Sequence, residues 1–374
     1  MFYYVTLTTD CNLRCRYCYG KCLDDIGSDF GDFEIDYSIP SSISYEIAQL
    51  RDFCRKDPDA VIIFYGGEPL MRIDKIVEIM SKVPAKWFMI QTNGLLLDRL
   101  EREYANRLHT ILVSIDGDEK ITDYNRGPGT YRRVIHNVRL LRERGFGGEI
   151  IARMTVTQDT DVDRQVLWLL FNDECNFTSV HWQLDAQFWR SDYHRERFFQ
   201  WVEERYNPQV ASLVRTWVSY MQDYGKVLKI YPFIGIMRSL LLRESSRLRC
   251  GAGWIEFNIQ TDGNISPCPV MAGMKDFYLG NIAYTDPKDL ANSLTVSKPC
   301  TECEIYSICG GRCLYANITK LWGEEGFKLV CRTVANLVNS LESVLPLIEQ
   351  LISENKIRLA DFDYTKYNSC EIIP

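Results

Sequence analysis

Cys11-Asn12-Leu13-Arg14-Cys15-Arg16-Tyr17-Cys18 spells C-x3-C-x2-C and follows directly on the apolar, β-branched run Tyr3 to Thr8. Such a run predicts a strand, and the cysteines then form a loop at its C-terminal end. Three thiolates within eight residues can grip three irons of a cubane [4Fe–4S] cluster and leave the fourth without a protein ligand. Such clusters are normally held by four cysteines, so a three-cysteine loop suggests an iron kept open for another ligand. A structural zinc knot or a few buried free cysteines are the plainer alternatives, since short cysteine spacings also suit zinc.

Working outward, residues 19–40 are polar and acidic (Asp24, Asp25, Asp29, Asp32, Glu34, Asp36) and read as an inserted surface loop with solvated charges. Residues 43–55 predict a helix. Ala60–Tyr65 is a compact apolar strand ending in Gly66-Gly67-Glu68-Pro69, and Ile73, Ile76, Val77 and Met80 then mark one helix face. Trp87–Gln91 is the next strand, ending in Thr92-Asn93-Gly94, and Ile111–Val113 runs into Ser114-Ile115-Asp116-Gly117. Val134, Ile135, Val138 and Leu141 give a helix stripe closed by Gly145 as a C′ residue. Ile150–Val156 and Val180–Leu184 supply a fifth and a sixth strand. Six such alternations are the pattern of a parallel α/β sheet or barrel, here a partial (β/α)6 TIM-like barrel.

In barrels of this kind the C-terminal strand ends carry the chemistry. Four consecutive strand ends here carry polar or glycine-rich tags: the cysteine loop, GGEP, QTNG and SIDG. Any one alone could be a turn or a helix cap. Gly66 and Gly67 let backbone carbonyls come close to a ligand, and Glu68 adds an anionic acceptor, which together suit an ammonium group. Thr92, Asn93, Ser114 and Asp116 offer groups for a ribose, and Arg153 is suited to clamp a carboxylate, with a structural ion pair as its alternative. Together they describe a site for an amino-acid-bearing nucleoside beside an iron–sulfur cluster.

On these motifs the chain resembles a radical S-adenosylmethionine (SAM) enzyme: C-x3-C-x2-C with Tyr17 before Cys18 matches that superfamily's cluster loop, and GGEP its loop for the SAM amino group. The resemblance implies that the open iron takes the amino and carboxylate groups of SAM. Reductive cleavage then gives a 5′-deoxyadenosyl radical that abstracts hydrogen from a substrate.

Residues 190–249 read as helical, with aromatics (Phe198, Phe199, Trp201, Tyr206, Trp217, Tyr220) that suit core packing or a substrate channel. Then come Cys250 and Cys268, the block Cys300-x2-Cys303-x5-Cys309-x3-Cys313, and Cys331. A block this dense calls for a metal; two zinc sites are the alternative, although zinc ribbons prefer two C-x2-C pairs and only one is present here. The seven-cysteine pattern resembles the SPASM domain, an extension found in radical SAM enzymes that mature sulfatases, form thioethers, or cross-link or epimerise peptides. That resemblance implies two auxiliary [4Fe–4S] clusters, three clusters in all. Cys250, Cys268 and Cys313 would hold the first; Cys300, Cys303, Cys309 and Cys331 the second. The first is then one protein ligand short, leaving an open iron or a distant ligand among Cys22, Cys175 and Cys370. Sulfatase-maturing members carry an Asp just after the second SPASM cysteine, where this chain has Pro269, which argues against formylglycine formation by the same route.

From Val334 to Ile348 an apolar repeat predicts a closing helix bent near Pro346, followed by a polar surface tail from Asp361. The expected domains are a radical SAM barrel over 1–189, a helical bridge over 190–249, a SPASM domain over 250–335, and the helix and tail over 336–374. No leader-binding domain is expected ahead of the barrel.

The 374 residues are 46% hydrophobic with net charge −7, enough for a large core and without the clustered cations that a nucleic-acid backbone requires. No apolar run is long enough to span a bilayer and no secretory leader is visible, so a cytoplasmic protein is expected. The 14 cysteines then read as metal ligands rather than disulfides. The function that follows is oxidative modification of a peptide or protein, a thioether or C–C cross-link or related change, with a flavodoxin- or ferredoxin-type electron donor. Dehydrogenation or rearrangement of a small molecule is a second enzymatic reading. An iron–sulfur electron carrier or zinc-stabilised binding module is a non-enzymatic one. For a residue acting on substrate, the sequence offers Asp185 and Gln183 at the end of the sixth strand and Tyr124 after SIDG.

Overall fold

The computed structural model describes residues 1–18, 33–185, 195–368, 370 and 373–374. The expected insertion over 19–40 therefore lies mostly outside the described residues, as does Cys22.

The predicted strands form. They are β1 (Phe2–Thr8), β2 (Val61–Gly66), β3 (Trp87–Thr92), β4 (Leu108–Ser114), β5 (Glu149–Val156) and β6 (Ser179–Leu184), followed by β7 (Glu256–Ile259), β8 (Asn264–Ser266) and β9 (Gly280–Asn281). Their order in the sheet is β6-β5-β4-β3-β2-β1-β7-β8-β9. The β1–β2, β2–β3, β3–β4 and β1–β7 pairs are parallel. Tyr3, Val5 and Leu7 are fully buried and so is Tyr4, to 2% exposure, because β1 lies inside a sheet covered on both faces. The α/β fold with a parallel sheet is the one its sequence predicts.

The principal helices of the first half are α1 (Ile47–Cys54), α2 (Ile73–Lys82), α3 (Glu119–Arg126), α4 (Thr130–Glu143) and α5 (Val162–Phe171). Gly145 stands one residue past the Arg144 cap of α4 with φ +86°, as a C′ glycine does. Later come α6 (Asn207–Tyr224), α7 (Tyr231–Leu242), α8 (Leu314–Thr319) and α9 (Gly323–Ser353).

Sequence reasoning missed β7, β8 and β9, and β7 is the one that pairs with β1. Its residues Glu256-Phe257-Asn258-Ile259 lack an apolar run, yet all four are buried. Asn258 is satisfied within the sheet: Thr6 Oγ1 donates to Asn258 Oδ1 at 2.8 Å, and Asn258 Nδ2 donates to Ser266 Oγ at 3.1 Å. A buried polar side chain with a partner costs little, so the strand survives without the usual signature.

The chain divides into two compact units. The first comprises Met1–Ala152, Asn172–Phe177 and Gly251–Thr295; the second comprises Arg153–Phe171, Thr178–Cys250 and Val296–Pro374. In the first, two of the acidic residues expected to be merely solvated are engaged. Glu34 pairs with Lys275 at 2.5 Å, and Asp36 accepts from Ser38 and from Tyr278 Oη. Its carboxyl is held below the usual range, chiefly by the Ser38 hydroxyl.

In the second unit α9 packs on α6 and α7. It begins at Gly323, earlier than its apolar repeat suggests, so Cys331 sits on the helix rather than before it. Phe327, Leu329 and Val330 bury the added turns, and Glu324 and Glu325 suit the positive end of the helix dipole. The helix runs through Pro346. Among the described residues no helix is long and apolar enough to cross a membrane.

Candidate functional site

In the first unit, β1 and β2 pair in register from Phe2↔Val61 to Thr6↔Tyr65, then shift so that Thr8 faces Gly66. That irregularity ends pairing where the cysteine loop departs. Gly67 N donates to Thr8 O and Glu68 N to Asp10 O, both at 2.8 Å. A Cβ on Gly66 would lie 2.1 Å from Thr8 O, and one on Gly67 2.2 Å from Asp10 O. The two glycines thus let the GGEP loop lie against the start of the cysteine loop, a protein–protein backbone approach where the sequence suggested a ligand.

Glu68 is fully buried and is committed in the same way. One carboxylate oxygen accepts from Leu70 N (3.0 Å) and Thr92 Oγ1 (2.7 Å), the other from Asn93 N (2.7 Å). Burial outweighs these three bonds and raises its pKa to about 7. Its carboxylate is occupied in tying GGEP to TNG, which corrects the reading of an acceptor free for an ammonium group. Asn93 carries the tie onward: Nδ2 donates to Asn12 Oδ1 at 2.7 Å and reaches Cys11 Sγ at 3.8 Å.

A second network holds the other end of the cysteine loop. Asp116, fully buried, takes two bonds from Arg126 of α3, Nε to Oδ2 at 3.0 Å and Nη2 to Oδ1 at 2.8 Å. Tyr17 Oη donates to the same carboxylate at 2.5 Å, and the Arg126 guanidinium lies 5.4 Å from the Tyr17 ring centre. Arg16 N donates to Asn125 O (2.9 Å), and its guanidinium lies 4.2 Å over the Tyr124 ring. Asp116 is therefore engaged in an ion pair that fixes Tyr17, and Tyr124, about half exposed, carries an arginine rather than an unencumbered hydroxyl site. Arg126 is the residue missed from the sequence. A lone arginine in the last turn of a helix carries no signal until the fold brings Asp116 to it.

Ser114 ends β4, half-buried. Arg153 lies in the part of β5 that belongs to the second unit, as do Gln183 and Asp185 at the end of β6. Gln183 Nε2 lies 3.4 Å from His181 Nε2, and Asp185 N donates to Val156 O. Cys175, with Tyr131 Oη 3.9 Å from its sulfur, and Cys370 are both buried.

Cys250, Cys300, Cys303, Cys309, Cys313 and Cys331 belong to the second unit and Cys268 to the first. Burial pushes the Cys331 thiol up to about 11, with Cys300, Cys309 and Cys303 adding to the rise, so these four share one neighbourhood. Cys313 also acts on Cys300. Among the described residues no three His, Cys, Asp or Glu side chains converge as ligands of a single metal ion.

The donor chemistry in both places suits thiolate-held iron–sulfur clusters, whose sulfurs accept N–H bonds. Cys11 Sγ receives Leu13 N at 3.4 Å and Cys300 Sγ receives Asn317 Nδ2 at 3.4 Å. Cys309 is bonded by the backbone N–H groups of Gly311 and Arg312. Burial raises the thiols of Cys11, Cys15, Cys300 and Cys309, and metal ligation is the process that would discharge those protons.

Comparison with known proteins agrees with this chemistry. The cysteine-type anaerobic sulfatase-maturating enzyme of Clostridium perfringens (strain 13 / Type A) is 23% identical over 82% of this chain and 86% of its own. The structure of native anSMEcpe with bound AdoMet and Cp18Cys peptide superposes with TM-score 0.69 at 19% identity, covering 94% of this chain and 99% of that one. Streptococcus suis SuiB bound to precursor peptide SuiA gives 0.55 at 15% identity, covering 85% and 72%. Residues 5–167 match the family described as the Radical SAM superfamily, whose members work with a [4Fe–4S] cluster and SAM. The chain thus carries a radical SAM domain over these residues.

Proposed function

We propose that this protein is a SPASM-type radical SAM enzyme that oxidatively modifies a peptide or protein substrate, forming a thioether, a C–C cross-link or a related bond. The observation that carries the reading is the cysteine loop, pinned at one end by Glu68–Asn93 and at the other by Asp116–Arg126. The second thiol group, Cys300, Cys303, Cys309 and Cys331, supports a cluster beyond the first. The peptides named with anSMEcpe and SuiB support a peptide as the substrate class.

In this reading Cys11, Cys15 and Cys18 hold the cluster of the barrel over 1–189. A bridge is assigned to 190–249, helical where it is described, and Cys250, Cys268 and Cys313 serve a further cluster in a SPASM domain over 250–335. Gly66, Gly67, Thr92, Asn93, Ser114, Tyr17 and Arg153 surround SAM, while Glu68 and Asp116 act on that site through the loops they fix. When bound, SAM and its cluster supply a carbon-centred oxidant for an unreactive C–H bond. The chain's part is to hold the loop and its Asn93 amide in place and to pair Asp116 with Arg126. The ionised pair then orients Tyr17. A cytoplasmic setting with a flavodoxin- or ferredoxin-type donor completes the proposal.

Anaerobic reconstitution with iron and sulfide, then dithionite and SAM, tests it. The expected result is 5′-deoxyadenosine from a fully loaded protein; a full complement of iron without that product overturns it. Mass spectrometry of a candidate peptide co-expressed with the enzyme then tests the substrate class, expecting loss of hydrogen from the peptide.

A further inference from the structure

The second unit holds two buried cationic nitrogens that nothing described so far uses. Arg312 Nε and Lys320 Nζ are both inaccessible and have no hydrogen-bond partner among the described residues. Each lies near an aromatic ring instead: Lys320 Nζ 3.9 Å from the centre of Phe327, and the Arg312 guanidinium 5.8 Å from that of Trp322. Both residues have left-handed backbone, φ +50° for Arg312 and +47° for Lys320, a conformation that persists only where the surroundings enforce it. Burying a cation without an acceptor is costly unless an anion stands nearby.

Thiols stand among their neighbours, together with the Tyr206 phenol beside Arg312. Lys320 acts on Cys300, and Arg312 acts on Cys309 and Cys331. Between the two cations in sequence, Asn317 is 2% exposed and fixed by its neighbours. Ser297 N donates to its Oδ1 at 2.8 Å, and its Nδ2 donates to Ser297 O at 3.2 Å and to Cys300 Sγ at 3.4 Å. The Ser297 amide settles which way the side-chain amide faces, so an N–H and not a carbonyl is presented to the sulfur.

We propose that Arg312, Lys320 and Asn317 form a cationic, hydrogen-bonding shell around an iron–sulfur cluster held by Cys300, Cys303, Cys309 and Cys331, and that this shell raises the cluster's reduction potential. The inference rests on the proposed function above. Reduction adds negative charge to an already anionic cluster, so neighbouring cations and N–H donors to sulfur favour the reduced form. A cluster poised in this way is suited to receive an electron. Lys320 also caps the C-terminus of α8, where a cation is favoured in any case, but that role would change stability and leave a potential unmoved.

The test is a redox titration, followed by electron paramagnetic resonance, of the reconstituted full-length protein and its Lys320→Met, Arg312→Met and Asn317→Ala variants. Lys356→Met, exposed beyond the C-terminal end of α9, is the control. The expected result is full iron in every variant and a more negative midpoint for one cluster in all three, with the other signals and the control stationary. Combining Lys320→Met with Arg312→Met should move it further than either alone. Lys320→Gln serves where the methionine variant folds poorly. Unmoved midpoints with full iron overturn the proposal, and so does loss of iron from every variant, which would assign these residues to cluster assembly. Cys303→Ala separates the two levels: if it keeps all its iron, the cluster assignment itself is what fails.

Discussion

The two thiol groups differ in how the charges around them are balanced. At Cys11–Cys18 the buried cation already has its anion, since Arg126 is paired in two bonds to Asp116. At Cys300–Cys331 Arg312 Nε and Lys320 Nζ, both buried, have no acceptor among the described residues. A balanced pair contributes shape: it holds Tyr17 and ties α3 to the loop. An unbalanced cation contributes field, and the field acts on whatever anion stands next to it. On the proposal made above, the first site is built for geometry and the second for potential.

The sharpest way to break this comparison is to remove one thiol from each group. Cys15→Ala should abolish 5′-deoxyadenosine formation and cost about a third of the iron, as one of three clusters is lost. Cys303→Ala should lose a similar share yet retain SAM cleavage at least in part, while net peptide modification stops. Iron analysis and product chromatography on the two variants check this. Equal loss of SAM cleavage in both would erase the distinction between the sites.

Arg126→Met comes next. It leaves Asp116 buried without its cation, and breaking such a pair from one side costs about 3–5 kcal/mol. Urea denaturation measures the loss, and SAM cleavage should fall with it because Tyr17 loses its anchor. Asp116→Asn with Arg126→Met should be milder than Arg126→Met alone, since no uncompensated charge remains. If Arg126→Met is neutral, the pair does not fix the loop.

Glu68 tests the same idea from the other end of the loop. Its pKa stands near 7 because burial opposes its charge, against 4.5 for the ordinary carboxyl. A carboxyl raised on folding holds its proton more tightly in the native state. Its contribution to stability is therefore fully present below about pH 4.5 and is lost as pH rises to about 7, a difference of about 3 kcal/mol. Denaturation at pH 5 and pH 8 should show the wild type losing stability relative to Glu68→Gln over that interval. A constant difference between the two proteins would mean that Glu68 is already ionised at the lower pH.

These tests also mark where sequence was a sufficient guide. The parallel strands were legible because β1, β2 and β4 are buried on both faces and read as apolar runs. The cysteine loop, GGEP, TNG and SIDG were legible as tags at strand ends. What each tag does was not, because a sequence shows which groups are present and not which are already engaged. Glu68 and Asp116 looked available and are occupied by Asn93 and Arg126. β7 was hidden because Asn258 and Glu256 are polar, and Asn258 is tolerated there through its bonds to Thr6 and Ser266. Arg312 and Lys320 carry no signal in the sequence, and only the fold buries their nitrogens.

Tyr124 gives the smallest effect and a clean distinction between an anchor and an acid–base group. Its ring lies under the Arg16 guanidinium at 4.2 Å, and about half its surface is exposed. An exposed cation–π contact contributes about 0.5–1 kcal/mol. Tyr124→Phe keeps the ring and should leave both stability and turnover unchanged, whereas Tyr124→Leu should cost about that much stability and slightly loosen the loop at Arg16. Denaturation curves and 5′-deoxyadenosine yield for the two variants decide it. Were Tyr124→Phe to stop peptide modification while sparing SAM cleavage, the hydroxyl and not the ring would be the functional part, and the loop's outer edge would belong to the substrate site.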